Sequence, residues 1–251
     1  TTTPMETLTD AVRLAFEEAA PEKVSAGWGH ANGCNIAGWD TRHDEEYVSM
    51  ILASIISGAG ATPVQDGWHA CGPECCFGAL TSGDVELLEY SYPIVIHRYS
   101  LMTDSAGAGK YRGGSGTCWE VEPLDKPMEF ITFGEGRRIP ATGAAGAESK
   151  MIEPKVGRIE ISREDGVETI KTNIIRTIQP GERAANMTPG GGGYGDAYQR
   201  DVAAVVWDVK NRLVSIDGAR EDYGVVISDA KSLEVDEAAT AALRGTSMAA
   251  E

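Results

Sequence analysis

Leu8, Val12, Ala15, Phe16 and Ala19 recur at helical spacing, in a stretch that opens on Thr3-Pro4 and closes before Pro21. That period predicts a helix over residues 4–20 with one apolar face, capped by Thr3 and stopped by Pro21. Residues 25–40 lack a helical period and read as a loop followed by a strand. Residues 46–57 are dense in β-branched side chains and also read as a strand. Short alternating or continuous apolar runs then follow at 93–101, 116–121, 128–133, 158–162, 169–178 and 182–186. Glycine and proline punctuate them about every eight to fifteen residues, a rhythm of sandwiches and barrels rather than of alternating strand and helix. Helical periods return at 202–209, 216–222 and 235–243, with residues 202–226 reading as a helical hairpin. The fold class is therefore α+β and β-rich, with barrel- or sandwich-like sheets, an N-terminal helix and C-terminal helices. No repeat or low-complexity linker divides residues 1–251, which are expected to form a single domain.

Composition narrows the function. The 251 residues carry 38 acidic and 22 basic side chains, a net charge of −16. Such a charge repels phosphate backbones and anionic lipid, so neither nucleic acid nor a membrane is expected as partner. The longest apolar stretch, near residues 48–56, is too short to span a bilayer, and no signal-peptide pattern precedes it. The 5 cysteines build no disulfide framework, and the chain is expected in the cytoplasm.

Glycine, at 30 residues, is abundant and clustered. One cluster is DSAGAGKYRGGSG, from Asp104 to Gly116; the other is TPGGGGYGDAYQRD, from Thr188 to Asp201. The run Gly190, Gly191, Gly192, Gly193, with Gly195 beyond it, costs backbone entropy and demands either left-handed turns or the close approach of a chain or ligand. Neither cluster has the spacing of a nucleotide-binding loop.

Together these segments resemble the hydantoinase B/oxoprolinase family. The resemblance rests on LEYSYPIVIHR at 88–98, the two glycine clusters and YGVV at 223–226, in that order. Residues 27–40 and the Asp66-Gly67 pair also fit, so the likeness runs from about Pro4 to Ile227. Ala197 stands where the family usually has proline, and Ala106 departs from a frequent DSGGAG. The resemblance implies the carboxy-terminal half of a longer protein, working with a polypeptide that carries the amino-terminal half. It also implies an actin- or sugar-kinase-like ATPase subunit, which binds ATP and Mg. Such complexes open cyclic amides (hydantoins, oxoproline, lactams) or carboxylate ketones of the acetone and acetophenone type. The resemblance also leaves room for a divalent metal, zinc or manganese, in the complex, expected outside this chain. A non-catalytic assembly role is the contrasting expectation.

Candidate chemistry lies in several places. His30 and Asp40, with His43 and Asp44 near, form a candidate base or hard-metal cluster. Asp104 and Arg112 in the first glycine cluster are further catalytic candidates, although Asp104 also suits a turn and Arg112 a pairing with Glu89. Lys110, Arg137 and Arg138 have the charge to bind an anionic intermediate. His69, Cys71 and Cys75, with Cys34 or His30, are the metal candidates, against a reading of small buried thiols at a turn. His97, in a strand, is expected on one face with Val95 and Tyr99, in packing rather than catalysis.

Overall fold

The structure is a computed structural model that describes residues 2–76, 78–150 and 153–248. Two antiparallel sheets pack face to face. The first has strand order β2-β1-β5-β8, from β1 (Asn32–Asp40), β2 (Glu45–Ile51), β5 (Met128–Gly134) and β8 (Ile175–Ile178). The second has order β3-β4-β9-β6-β7, from β3 (Ile94–Leu101), β4 (Thr117–Pro123), β6 (Arg158–Arg163), β7 (Gly166–Ile170) and β9 (Arg183–Met187). Strand alternation sends Ile36, Phe130 and Ile178 from one sheet against Trp119, Val121 and Ile161 from the other, and all are fully buried. This is the expected β-rich sandwich with a helix before it and helices after it.

The helices are α1 (Thr2–Glu17), α2 (Val85–Ser91), α3 (Val202–Lys210), α4 (Ile216–Tyr223) and α5 (Glu237–Met248). Asp201 caps α3 by accepting from the amides of Ala203 and Ala204, and Ser215 caps α4 through Gly218. Gly224, left-handed at φ 63°, closes α4. Val205, Val209, Val214, Ala219, Tyr223 and Val225 make a second small core between α3 and α4. A two-stranded ribbon, β10 (Ile227–Asp229) with β11 (Glu234–Val235), leads to α5. Among the described residues, no helix is long and apolar enough to cross a membrane.

Several expectations are corrected. The strand expected over 46–57 ends at Ile51, where Leu52–Ile55 turns as a short 3-10 helix. The strand expected over 169–178 is two strands in different sheets. Helix α2 and the β10–β11 ribbon are additional to the expected elements. A register shift between Ile96 and Arg98 makes His97 the extra residue of a bulge. Ile96 and Tyr99 face the core, while His97 turns out to Glu122 at 2.7 Å.

The main reversal is in α1. Its apolar face lies in the open, with Leu8, Val12 and Phe16 at 60, 51 and 59% exposure. Glu6 and Arg13 instead point inward, at 2 and 6%.

The glycine clusters are interleaved backbone. The amide of Gly191 donates to Gly114 O and its carbonyl accepts from Gly107; Gly192 donates to Gly27 O and accepts from Ala61. A methyl group on Gly191 would overlap the carbonyl of Ala59. None of Gly190–193 has a positive φ, so the run answers to close approach of the protein's own chain rather than to turn geometry.

Candidate functional site

Glu6, Asp10, Arg13 and Glu17 follow each other at spacings of four, three and four, which puts them on one side of α1. Each is tied to a loop. A Glu6 carboxylate oxygen accepts from the Ala31 amide at 2.5 Å, and its other oxygen is buried without a hydrogen-bond partner. Burial raises the Glu6 pKa, against the lowering effect of the Ala31 hydrogen bond. Arg13 donates to Ser25 O at 3.3 Å and to the Thr142 hydroxyl. Glu17 accepts from the Ala145 amide at 3.2 Å. The helix is thus fastened by polar contacts to the loops that precede β1 and follow β5.

These contacts set up His30. Its Nε2 lies 2.8 Å from Asp10, and its Nδ1 lies 3.6 Å from Glu135. Thr7 holds that Glu135 oxygen from the other side with a 2.7 Å hydrogen bond. Burial alone lowers the His30 pKa, but the Asp10 hydrogen bond and the charges of Asp10, Glu6 and Glu135 outweigh it, so the net shift is upward.

His30 opens on a cleft of about 730 Å³, where Asp10 and Glu135 meet Arg137, Arg138 and Asn173. Arg137 is 4% exposed. It donates to Asn186 Oδ1 at 3.0 Å and to Asn173 Oδ1 at 3.3 Å, while its Nη1 has no hydrogen-bond partner. Among the described residues it has no carboxylate within ion-pair reach. Burial pushes its pKa down to about 10, which leaves it cationic at neutral pH. Asn186 is itself fixed by Asn32 O at 2.7 Å and Ser54 O at 2.9 Å. The cleft therefore offers a preset cation to an anionic group and a histidine–carboxylate pair to a proton.

On the other flank of α1, a cavity of about 390 Å³ is walled by Trp28, Trp68, Met5 and Glu74. Burial, with smaller contributions from the charges of Asp10 and Glu6, raises the Glu74 carboxyl to about 7.

The other candidates are dispersed. Asp40 ends the strand whose start adjoins His30, and the strand spans roughly 27 Å at ~3.4 Å per residue. It accepts from the Arg42 backbone at 2.9 Å and pairs with Arg42 at 2.7 Å and His43 at 3.1 Å. The Arg42 hydrogen bond holds the Asp40 carboxyl well below the usual carboxylate range. The expected His30–Asp40 grouping is thus corrected: His30 pairs with Asp10 and Glu135, and Asp40 organises the β1–β2 turn. Asp104, at φ 58°, accepts from the Ser215 amide at 2.8 Å and fastens the first glycine cluster to α4.

Arg112 does not meet Glu89, which instead accepts from the Ile96 amide. Its Nε lies 3.2 Å from the buried Asp208, and its backbone amide donates to Asp66. Lys110 lies over the Tyr111 ring, 5.8 Å from its centroid, away from the His30 cleft.

His69 Nδ1 accepts from the Ser115 amide at 2.9 Å, Cys71 Sγ lies 3.9 Å from Ser57 O, and Cys75 sits beside Cys76. Cys34 is buried in the sandwich, its thiol pushed up to about 12 by desolvation. Among the described residues, no group of three or more His, Cys, Asp or Glu side chains is placed to hold a metal ion.

Of the sequence candidates, only His30, Arg137 and Arg138 share a cavity. Asp10, Glu6 and Glu135 were missed; the 6-10-13-17 charge stripe was the available signal.

A sandwich clasped by interleaved glycine loops, with a cleft of histidine, carboxylates and arginines beside its first helix, defines an α+β protein. The chain belongs to the hydantoinase B/oxoprolinase family, whose model matches residues 1–197. It is 63% identical over 246 residues to the caprolactamase subunit beta of Pseudomonas jessenii, a span of 97% of this chain and 42% of the relative. The crystal structure of the ATP-dependent caprolactamase from Pseudomonas jessenii superposes with a TM-score of 0.86 and 59% identity, again over 97% of this chain and 42% of that one. The acetone carboxylase alpha subunit of Xanthobacter autotrophicus (strain ATCC BAA-1158 / Py2) is 27% identical over 92% of this chain and 34% of its own length. The chain thus spans less than half the length of these relatives.

Proposed function

We propose that this chain is part of an ATP-dependent enzyme that opens the ring amide of a lactam, and that the His30–Arg137 cleft serves the reacting group. The observation that carries this reading is 63% identity, across 97% of the chain, to a caprolactamase subunit. In this reading the chain is one domain, the carboxy-terminal half of a hydantoinase B-type protein, and works in the cytoplasm. A second polypeptide portion supplies the amino-terminal half, and an actin- or sugar-kinase-like subunit binds ATP and Mg. Any zinc or manganese in the complex is held outside this chain.

An amide carbon is a weak electrophile until its oxygen is phosphorylated. Phosphorylation places negative charge on the substrate, which Arg137 and Arg138 are suited to receive. Water then adds to the activated carbon. His30, oriented by Asp10 and biased toward its cationic form, is suited to deliver a proton to the ring nitrogen as the C–N bond breaks. The acyl phosphate left behind is then hydrolysed by a second water to the carboxylate and inorganic phosphate.

Ketone carboxylation is the second reading, favoured by the acetone carboxylase relative; there the same arginines would face a carboxyphosphate. The higher identity to caprolactamase puts lactam opening first.

The test is ATP hydrolysis by the native assembly, with a lactam or with a ketone and bicarbonate. Lactam-dependent turnover that His30→Ala and Arg137→Met abolish, with the assembly intact by size exclusion, supports the proposal. Turnover only with ketone and bicarbonate favours the carboxylase reading. Full lactam turnover in both variants assigns the chain an assembly role.

A further inference from the structure

Met5, Leu8, Val12 and Phe16 form a seam along α1, at spacings of three, four and four, and are 50, 60, 51 and 59% exposed. A free amphipathic helix would bury this side. Here it cannot, because the opposite side is fastened by Glu6 to Ala31, Asp10 to His30 and Arg13 to Ser25. The seam is therefore presented on a fixed helix, not left open by loose docking.

Beside it run two adjoining clefts of about 390 and 370 Å³, which share Thr9, Ser25 and Glu74. Val12 and Phe16 line one, and Met5, Trp28 and Trp68 line the other, with Trp68 itself 59% exposed. Met5, Val12 and Phe16 join the seam to the clefts, and together with Leu8 and Trp68 they make an exposed seat of large apolar side chains with a polar rim in a chain of net charge −16, the kind of patch that marks an interaction surface.

We propose that this seat receives the portion of a hydantoinase B-type polypeptide that this chain does not span. The inference rests on the reading of the chain as one part of such a protein. Two observations support the occupant. The superposable caprolactamase chain is matched over only 42% of its length, so a larger portion of that polypeptide lies beyond the matched fold. The seat also has the repeat of a helix-packing seam, suited to an apolar element of a tightly associated partner rather than to a polar ligand. Glu74, between the two clefts, is raised to about 7 and so readily takes up a proton near neutral pH, which lowers the charge-burial penalty of covering it.

The test uses the native assembly, with a photoreactive benzophenone side chain placed at Leu8 and, as a control, at the exposed Val167 on β7. Cross-links from position 8, and not from 167, should map to peptides of the uncovered hydantoinase B-type portion, whether it is covalently continuous or a separate chain. The double variant Leu8→Glu/Phe16→Glu should weaken that association at least tenfold, or expose the covering peptides to hydrogen exchange if the chain is continuous. The circular dichroism spectrum of the double variant should match the parent. Cross-links to a second copy of this chain, to an ATPase subunit, or to nothing overturn the surface assignment. An assembly whose peptide map contains no further hydantoinase B-type portion overturns the reading beneath it.

Discussion

Arg200 grips Asp66, 134 residues away, with two hydrogen bonds of 2.7 Å, one from each terminal guanidinium nitrogen. The same guanidinium reaches Asp208 at 2.9 Å, and Arg112 approaches that carboxylate at 3.2 Å. Two arginines and two aspartates thereby join α3, both glycine clusters and the loop at Asp66-Gly67. Asp208 is 1% exposed and lies within short ion-pair distance of both arginines, so its loss leaves two buried cations undercompensated. Asp208→Asn should destabilise the fold by ~3–5 kcal/mol, read as a lower urea midpoint.

The interleaved glycines make an opposite pair of predictions. Gly191→Ala places a methyl against the Ala59 carbonyl, and neither backbone has room to move. A loss of about 3 kcal/mol or failure to accumulate as soluble protein is expected. Gly245, within α5, has open space for 4 Å around the point where a methyl would sit. Gly245→Ala should stabilise by roughly 0.5–1 kcal/mol, seen as a small rise in Tm.

The charges beneath α1 give a pH signature. Glu6 and Glu74 have raised pKa values, Glu74 at about 7, so the folded state holds protons that the unfolded chain releases above 4.5. His30 is also raised, so its contribution is complete below 6.5 and is lost as pH rises through its folded value. All three lower stability as pH rises through this window. His69, lowered by burial and by Arg112, acts with the opposite sign. The informative quantity is therefore the difference between wild type and Glu74→Gln. Thermal melts from pH 5 to 8 should show a shallower fall, or a steeper rise, for the variant.

Asp10→Asn should bring the His30 pKa down, because it removes the nearest negative charge and leaves at most a neutral hydrogen bond in place of a charge-assisted one. Imidazole chemical shifts titrated by NMR would report the change directly. In the assembly the variant should shift the acid-limb or base-limb midpoint of turnover rather than only its amplitude. A purely structural role for Asp10 would not move that midpoint.

Much of the sandwich was visible in advance because strand alternation and turn residues are local signals. Met128, Phe130 and Thr132 face inward along β5 while Glu129 and Ile131 between them are less buried, as a period of two implies. What escaped depended on distant partners. The first helix was legible from its period, but it runs Thr2–Glu17, so Thr3 lies inside it rather than capping it and it ends before Pro21, and its orientation was not legible. Hydrophobicity pointed one way, whereas Ala31, Ser25 and Thr142 pulled the charged side inward. The His30 partners escaped for the same reason, since Asp10 lies 20 residues earlier and Glu135 far along the chain. Arg137 and Arg138 were legible as an isolated basic pair, but nothing local predicted that Asn186 would hold Arg137.

The glycine clasp also bears on how the chain reaches this state. Gly27, Ala59, Gly107, Gly114 and Gly191 exchange backbone hydrogen bonds or touch across more than half the sequence, and none has more than a methyl with which to begin a contact. Their meeting has high contact order and must await strands that bring the loops together. The clasp should therefore close late and as a unit, so nascent or truncated chains would pass through a stage in which the sheets exist but the cleft beside His30 does not.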